Sequence, residues 1–430
     1  MVGSPASSDH RALYVSVGTP STEQTKSEHT RLLAALASTG VDVAGRVEIR
    51  CEDDVRLVVS KAAETNPDVL ALIVLCGRTA PLQVAVVQSI IGVPTVIWAV
   101  GKEHAFPSSA LAVGALKEEG RRVTLLHGAA DDADTMAGFL AAVRAGTAVT
   151  HLGRAKIGVI GGLFPNLVSC RYEPAFIRER LGAELLSVSY EHLRQEMHEA
   201  AGDRAALDCL LERCAKYDIR VPQEALLPGL SLHVALKSIA GELGLEAFAV
   251  ECWSGLPEAV GLNPCLGFIE DSYVLACEGD VMLALLLLMV RHMTGTSACA
   301  ADVLYLDTDG VLTLCHCGGP CMAGSDVVLD FSAAAQAAGL TTVTCRPNLP
   351  PGPVTLVRFY GGRCDRMHVA TGDLLGCDRS NDLTVEVRLH GGRSEFIDAC
   401  LGSHYAIVPG DIREELAILC KWLEIAAVYT

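Results

Sequence analysis

Ala12-Leu-Tyr-Val-Ser-Val17, followed by Gly18-Thr-Pro20 and then by apolar residues at helical spacing through Leu32, Leu33 and Leu36, decides how the rest of the chain is read. A short run of apolar, β-branched and aromatic residues, closed by Gly and Pro and continued by a helical pattern, is a strand, loop and helix unit. The unit returns. Val69-Leu-Ala-Leu-Ile-Val-Leu75 leads through a helix-like stretch at 84–91 to Pro94-Thr-Val-Ile-Trp-Ala-Val100, and the stretch 111–119 leads to Val123-Thr-Leu-Leu126. Such alternation favours a parallel sheet covered by helices on both faces.

A second start appears at Ala155-Lys-Ile-Gly-Val-Ile-Gly-Gly162, after a helix-like segment at 132–145, and places a domain boundary near residue 150. Helical patterns at 174–180, 190–201 and 226–243, with a strand at Ala247-Phe-Ala-Val250, make this region α/β again. Past residue 325 the texture changes to short runs at 340–345, 354–360, 368–370 and 383–389 between Gly, Pro and Asp clusters, ending in a helical pattern at 412–423. Strands so spaced predict an antiparallel β domain. The expected architecture is α/β: two successive flavodoxin- or Rossmann-like domains, 1–150 and 151–325, then a β-rich, barrel-like domain, 326–430.

The balance of 430 residues, 50% hydrophobic but only 5% aromatic, implies two or three domains with aliphatic cores. A formal net charge of -17 argues against nucleic acid or an anionic membrane as the main partner, since both require clustered Lys and Arg. The most apolar run, Val281 to Val290, is about half the length a bilayer crossing needs and is closed by Asp280 and Arg291, so it reads as a buried helix. The opening stretch, Val2 to His10, has no basic segment followed by an apolar run and reads as a frayed end. The 17 Cys lack the paired spacing of a disulfide scaffold, which suggests that most are reduced core residues of a cytoplasmic protein.

Groups able to hold a metal or move protons gather in four places: Glu251-Cys-Trp253, Cys277-Glu-Gly-Asp280, Asp302 with His316, and Gly402-Ser-His404. Glu278 stands just before the apolar helix, a rigid junction where a carboxylate suits a cation; the plainer reading is that Asp280 caps the helix and Glu278 is solvated. Asp302 precedes Val303-Leu-Tyr-Leu306, which places it at a strand's beginning among buried residues, where an acid needs a partner; otherwise it is a turn aspartate. Cys315-His-Cys317 invites a zinc reading, but strand alternation sends the two thiols to one face and His316 to the other. His404 alone reads as a packed or surface histidine.

Taken together, Ala276-Cys-Glu-Gly-Asp280 with the following apolar helix, Ala301-Asp302, Cys315-His-Cys-Gly318 and the late Gly-Ser-His404 with Pro409-Gly-Asp411 resemble the L-fucose isomerase family and its shorter relatives, with L-arabinose isomerase a more distant cousin. The resemblance covers about residue 247 to the C-terminus; the first 150 residues match only in style. It implies a metal-dependent aldose–ketose isomerase in which Glu278, Asp302 and His404 hold a divalent ion, usually Mn2+ (Mg2+ or Co2+ being alternatives), with His316 a possible further ligand. It further implies that Glu278 and Asp302 act as base and acid on an open-chain sugar, and that the chain forms a homohexamer or trimer. Glu251, where relatives carry a basic residue, and Trp253 are candidate substrate contacts, although Glu251 also reads as a strand-end acid turned to solvent. Two rivals are a non-catalytic sugar-binding or sensor protein on the same scaffold, and a zinc hydrolase or deaminase built around His316.

Overall fold

Five apolar runs of the first half become parallel strands: β1 (Arg11–Val17), β2 (Asp42–Ile49), β3 (Val69–Val74), β4 (Thr95–Ala99) and β5 (Val123–His127). The computed structural model describes residues 10–20, 22–100, 103–269, 273–321, 326–400 and 402–430. Residues 2–9 of the opening stretch lie outside the described residues. The sheet order is β2-β1-β3-β4-β5, a flavodoxin-like order with helices between successive strands. Strand β3, Val-Leu-Ala-Leu-Ile-Val, is buried at every position, as a central strand covered on both faces must be. Strand β2, with Gly45, Arg46 and Glu48, is only partly buried and forms an edge.

The chain divides into two compact units: Met1–Gly153 with His292–Gly295 and Glu414–Glu424, and Arg154–Arg291 with Thr296–Arg413 and Ile425–Thr430. The second unit opens with β6 (Lys156–Ile160), β7 (Glu184–Val188), β8 (Asp218–Ile219), β9 (Ala247–Val250) and β10 (Val274–Ala276). Four of these form a parallel sheet in the order β10-β9-β6-β7. The helix Val281–Thr294 follows β10, and every residue from 281 to 290 is buried, as expected for a helix apolar all round. Among the described residues no helix is long and apolar enough to cross a membrane.

From Cys299 onward the second unit is a β-barrel. Its strands are β11 (Cys299–Leu306), β12 (Val311–His316), β15 (Gly352–Tyr360), β16 (Arg366–Asp378), β17 (Leu383–Leu389) and β18 (His404–Pro409), and β19 (Ala426–Tyr429) adds to β16 outside the ring. The antiparallel ring runs β15-β18-β11-β12-β17-β16 and is closed by β15–β16. Closure depends on the 13-residue β16, whose first part pairs with β15 and whose end pairs with β17. Between β12 and β15, β13 (Val327–Phe331) and β14 (Val343–Pro347) form a small sheet with β8.

Two expectations are corrected here. The barrel begins at Cys299 rather than at 326, so Asp302 stands on the barrel and not in the α/β part. Asp302 is also inside β11, not at its start, and Leu304 and Tyr305 are 61% and 64% exposed because a register shift between Val303 and Tyr305 turns them outward. As expected, most of the cysteines are free, 15 of the 17, with a single disulfide between Cys321 and Cys345.

Buried histidines make the second unit acid-sensitive. His233 Nδ1 lies 2.9 Å from the Tyr273 hydroxyl, and His368 lies between the Tyr405 and Thr430 hydroxyls at 2.6 and 2.9 Å. Burial lowers both from 6.5 to about 4. Each therefore stabilises the fold above the unfolded-state value, and that contribution is lost as pH falls through the window from 6.5 to about 4, on the order of 3 kcal/mol per ring. Proton NMR of the two rings is expected to show no titration between roughly pH 7.5 and 5.5; a midpoint near that of a free imidazole would contradict it.

Candidate active site

The turn between β10 and the helix Val281–Thr294 is built from two consecutive residues with positive φ, Glu278 at 60° and Gly279 at 68°. A side chain at Gly279 would overlap the Gly162 carbonyl oxygen, so glycine is required there. Glu278 is held left-handed by its backbone partners: its N–H donates to Cys252 Sγ at 3.4 Å, and its carbonyl accepts the Phe164 N–H at 2.8 Å. Such a conformation costs on the order of 1–3 kcal/mol in a non-glycine residue and persists where surrounding contacts fix it. Asp280 then caps the helix, with Oδ1 accepting the Leu283 N–H at 3.0 Å.

The barrel supplies the other side. In the β11–β18 pairing Asp302 lies directly opposite His404. The His404 carbonyl accepts a hydrogen bond from Arg358 Nη1 at 2.8 Å, fixing the first residue of β18. The imidazole is almost completely buried, with Nδ1 2.9 Å from Asp280 Oδ2. A carboxylate only accepts, so Nδ1 donates, and in the ring's neutral form the lone pair lies on Nε2. Nε2 has no hydrogen-bond partner; Asp302 Oδ1 stands 3.4 Å from it and Glu278 Oε2 3.8 Å.

One donor atom each from Glu278, Asp302 and His404 thus lies within 4.8 Å of the others. Burial opposes charge on the His404 ring, yet hydrogen bonds with Asp280 and Cys170 and the charges of Asp280 and Asp302 raise its pKa well above the usual value. Burial likewise opposes the Asp280 carboxylate, but its bond to His404 holds it below the usual range.

Trp253 Nε1 donates to Glu278 Oε1 at 2.9 Å, which orients the carboxylate with Oε2 toward His404. Trp253, Glu278 and Asp302 border a cavity of about 330 Å3 in the second unit, together with Asn263, His316 and Asp382. Its remaining walls are Val303, Leu304, Ala334 and the sulfur-bearing Cys252, Cys265, Cys277, Cys315 and Cys317.

The other candidates take different places. Glu251 is buried, and its carboxylate accepts from the N–H groups of Trp253, Ser254 and Gly255 and from the Ser254 hydroxyl. It is therefore neither turned to solvent nor a wall of the cavity; it shapes the turn that carries Trp253. His316 borders the cavity with Nδ1 2.8 Å from the Gly318 carbonyl, outside the cluster of three donors. Burial alternates along β12 through Cys315 and His316, as expected, yet Cys315, His316 and Cys317 all border the cavity. Among the described residues no three-donor group includes those two thiols.

Sequence reasoning missed two residues behind the imidazole. Asp280 was legible as a cap, but its second oxygen holds His404. Cys170, with Asp280 and His404, forms a second donor group, entirely buried and away from the cavity walls. Nothing in the local sequence around Cys170 marks it.

Among the proteins this chain resembles are sugar isomerases. They are sulfoquinovose isomerases: those of Priestia aryabhattai and Priestia megaterium (strain ATCC 12872 / QMB1551) are each 25% identical over 297 residues, 64% of this chain and 64% of theirs. That of Clostridium sp. (strain MSTE9) is 23% identical over 350 residues, 74% of each chain. The chain thus matches just under two thirds of the length of the Priestia proteins. No family model matches it.

Proposed function

We propose that the chain is a divalent-metal-dependent aldose–ketose isomerase in which Glu278, Asp302 and His404 hold the ion. The observation that carries this reading is the buried His404 Nε2, which has no hydrogen-bond partner and faces two carboxylates at 3.4 and 3.8 Å while Nδ1 is anchored by Asp280. A lone pair buried against two anions is unfavourable unless a cation lies between them. One imidazole and two carboxylates form a donor set suited to manganese, with magnesium or cobalt as substitutes.

When bound, the ion supplies Lewis acidity toward the carbonyl and hydroxyl oxygens of an open-chain sugar. The chain's residues do the rest. Trp253 fixes one oxygen of Glu278 and turns the other toward the ion site, from which it takes or returns the proton that moves between C2 and C1 as the aldose passes through an enediol to the ketose. Asp302, with its side chain 31% exposed, handles the second proton, that of the oxygens. The sulfoquinovose isomerase relatives support a sugar as substrate. The described cavity lining contains Glu278, Asp302 and Asp382 but no Lys or Arg, so the part of the sugar against these walls is uncharged.

The test is a panel of aldoses and ketoses, sulfoquinovose included, incubated with manganese-loaded protein in heavy water and followed by exchange at C1 and C2. Exchange is expected with metal, absent after chelation and restored by manganese. Sugar binding without exchange would favour the sugar-sensor reading instead. The family resemblance supports a homohexamer or trimer, and light scattering showing a monomer at working concentration would overturn that part.

A further inference from the structure

The first unit has a cavity of its own, of about 450 Å3, bordered by Lys117, Arg121, Arg122, Lys421 and Trp422. A recess of about 240 Å3 shares Arg121 and Arg122 with it and adds the apolar Val87 and Ile90. In a chain of net charge -17, four cations on one cavity are a local reversal of sign. Glu424 also borders the cavity but has an interaction of its own.

Helix ends explain part of the cluster. Lys117 lies in the last turn of the helix Ala105–Glu118, and Lys421 in the last turn of Arg413–Trp422, where a cation complements the terminal carbonyls. Arg121 is 3.9 Å from Glu119. Arg122 belongs to neither helix, stands immediately before β5, is partly buried, and has no side-chain partner among the described residues. Burial lowers its pKa, and no neighbouring charge compensates. A guanidinium stays protonated in a protein, so this is a partly desolvated cation without a counter-ion. Trp422, 8% exposed, adds a buried indole N–H without an acceptor.

We propose that this cavity binds a small phosphate monoester, its phosphate held by Arg122, Arg121 and the two lysines and its apolar part seated in the recess by Val87 and Ile90. Arg forms paired, charge-assisted hydrogen bonds to phosphate oxygens, and the lysines add point charges. The site is separate from the isomerase reading and does not depend on it.

Calorimetric titration of the full chain, at constant ionic strength in chloride, tests it with phenyl phosphate, inorganic phosphate and phenol. Phenyl phosphate is expected to bind at one per chain, inorganic phosphate more weakly, and phenol not at all. Arg122→Gln is expected to weaken phenyl phosphate by about tenfold or more, and Lys421→Gln, at an exposed position that tolerates change, by a smaller factor. Unliganded melting temperatures distinguish lost binding from lost folding. Uptake that does not saturate at one per chain, or variants that bind as tightly as the parent, would overturn the proposal.

Discussion

Glu278→Gln is expected to lower isomerisation by about a hundred- to ten-thousand-fold, the range typical of a positioned proton-transfer group. The amide keeps the size of the side chain and an oxygen able to accept from Trp253 Nε1, so the turn and the fold survive. What disappears is the basic oxygen 3.8 Å from His404 Nε2 and one negative charge of the donor set. The fall should appear in kcat, with the melting temperature close to that of the parent. Near-normal exchange at C1 and C2 by the purified variant would remove Glu278 from the chemistry.

Asp280→Asn should weaken manganese by about ten- to a hundredfold, although residue 280 contributes no atom to the three-donor cluster. The substitution preserves an oxygen to cap the helix at Leu283. The amide nitrogen, however, turns a donor toward His404 Nδ1, which favours the tautomer carrying its proton on Nε2, where the ion should sit. Competition against a fluorescent chelator measures the loss, and His404→Gln provides the reference for complete loss of the imidazole. A variant binding manganese as the parent does would show that Asp280 serves only the helix end. A merely structural role would change the melting temperature and leave the affinity alone.

How far the sequence could be read depended on whether the relevant physics was local. The parallel strands were legible because β3 is apolar throughout and β4 apolar after Thr95, and both are buried at every position, as doubly covered strands must be. The helix at 281–294 was legible for the same reason. Strand β11 was legible over 303–306, but its start at Cys299 and its exposure were not, because Leu304 and Tyr305 point outward and break the link between apolar character and burial. Glu278 and Asp302 carried local signals, whereas His404, though noted among the four candidate places, read as a packed or surface histidine until the family resemblance gave it a role. The role of Asp280 was hidden because one side chain serves a contact three residues away and another 124 residues away, and only the first leaves a local pattern. Glu251 shows the converse: an acid read as free is fully occupied by the turn that follows it.

The opposition of Asp302 and His404 across neighbouring barrel strands also bears on synthesis at the ribosome. Strand β11 emerges well before β18, so a growing chain displays the two carboxylates long before the imidazole that completes the set. On the proposed reading, such an intermediate offers only the two carboxylate members of the three-donor set. If the proposed ion binds there, tight uptake would wait until the ring of strands has closed, and metal retention would report finished folding.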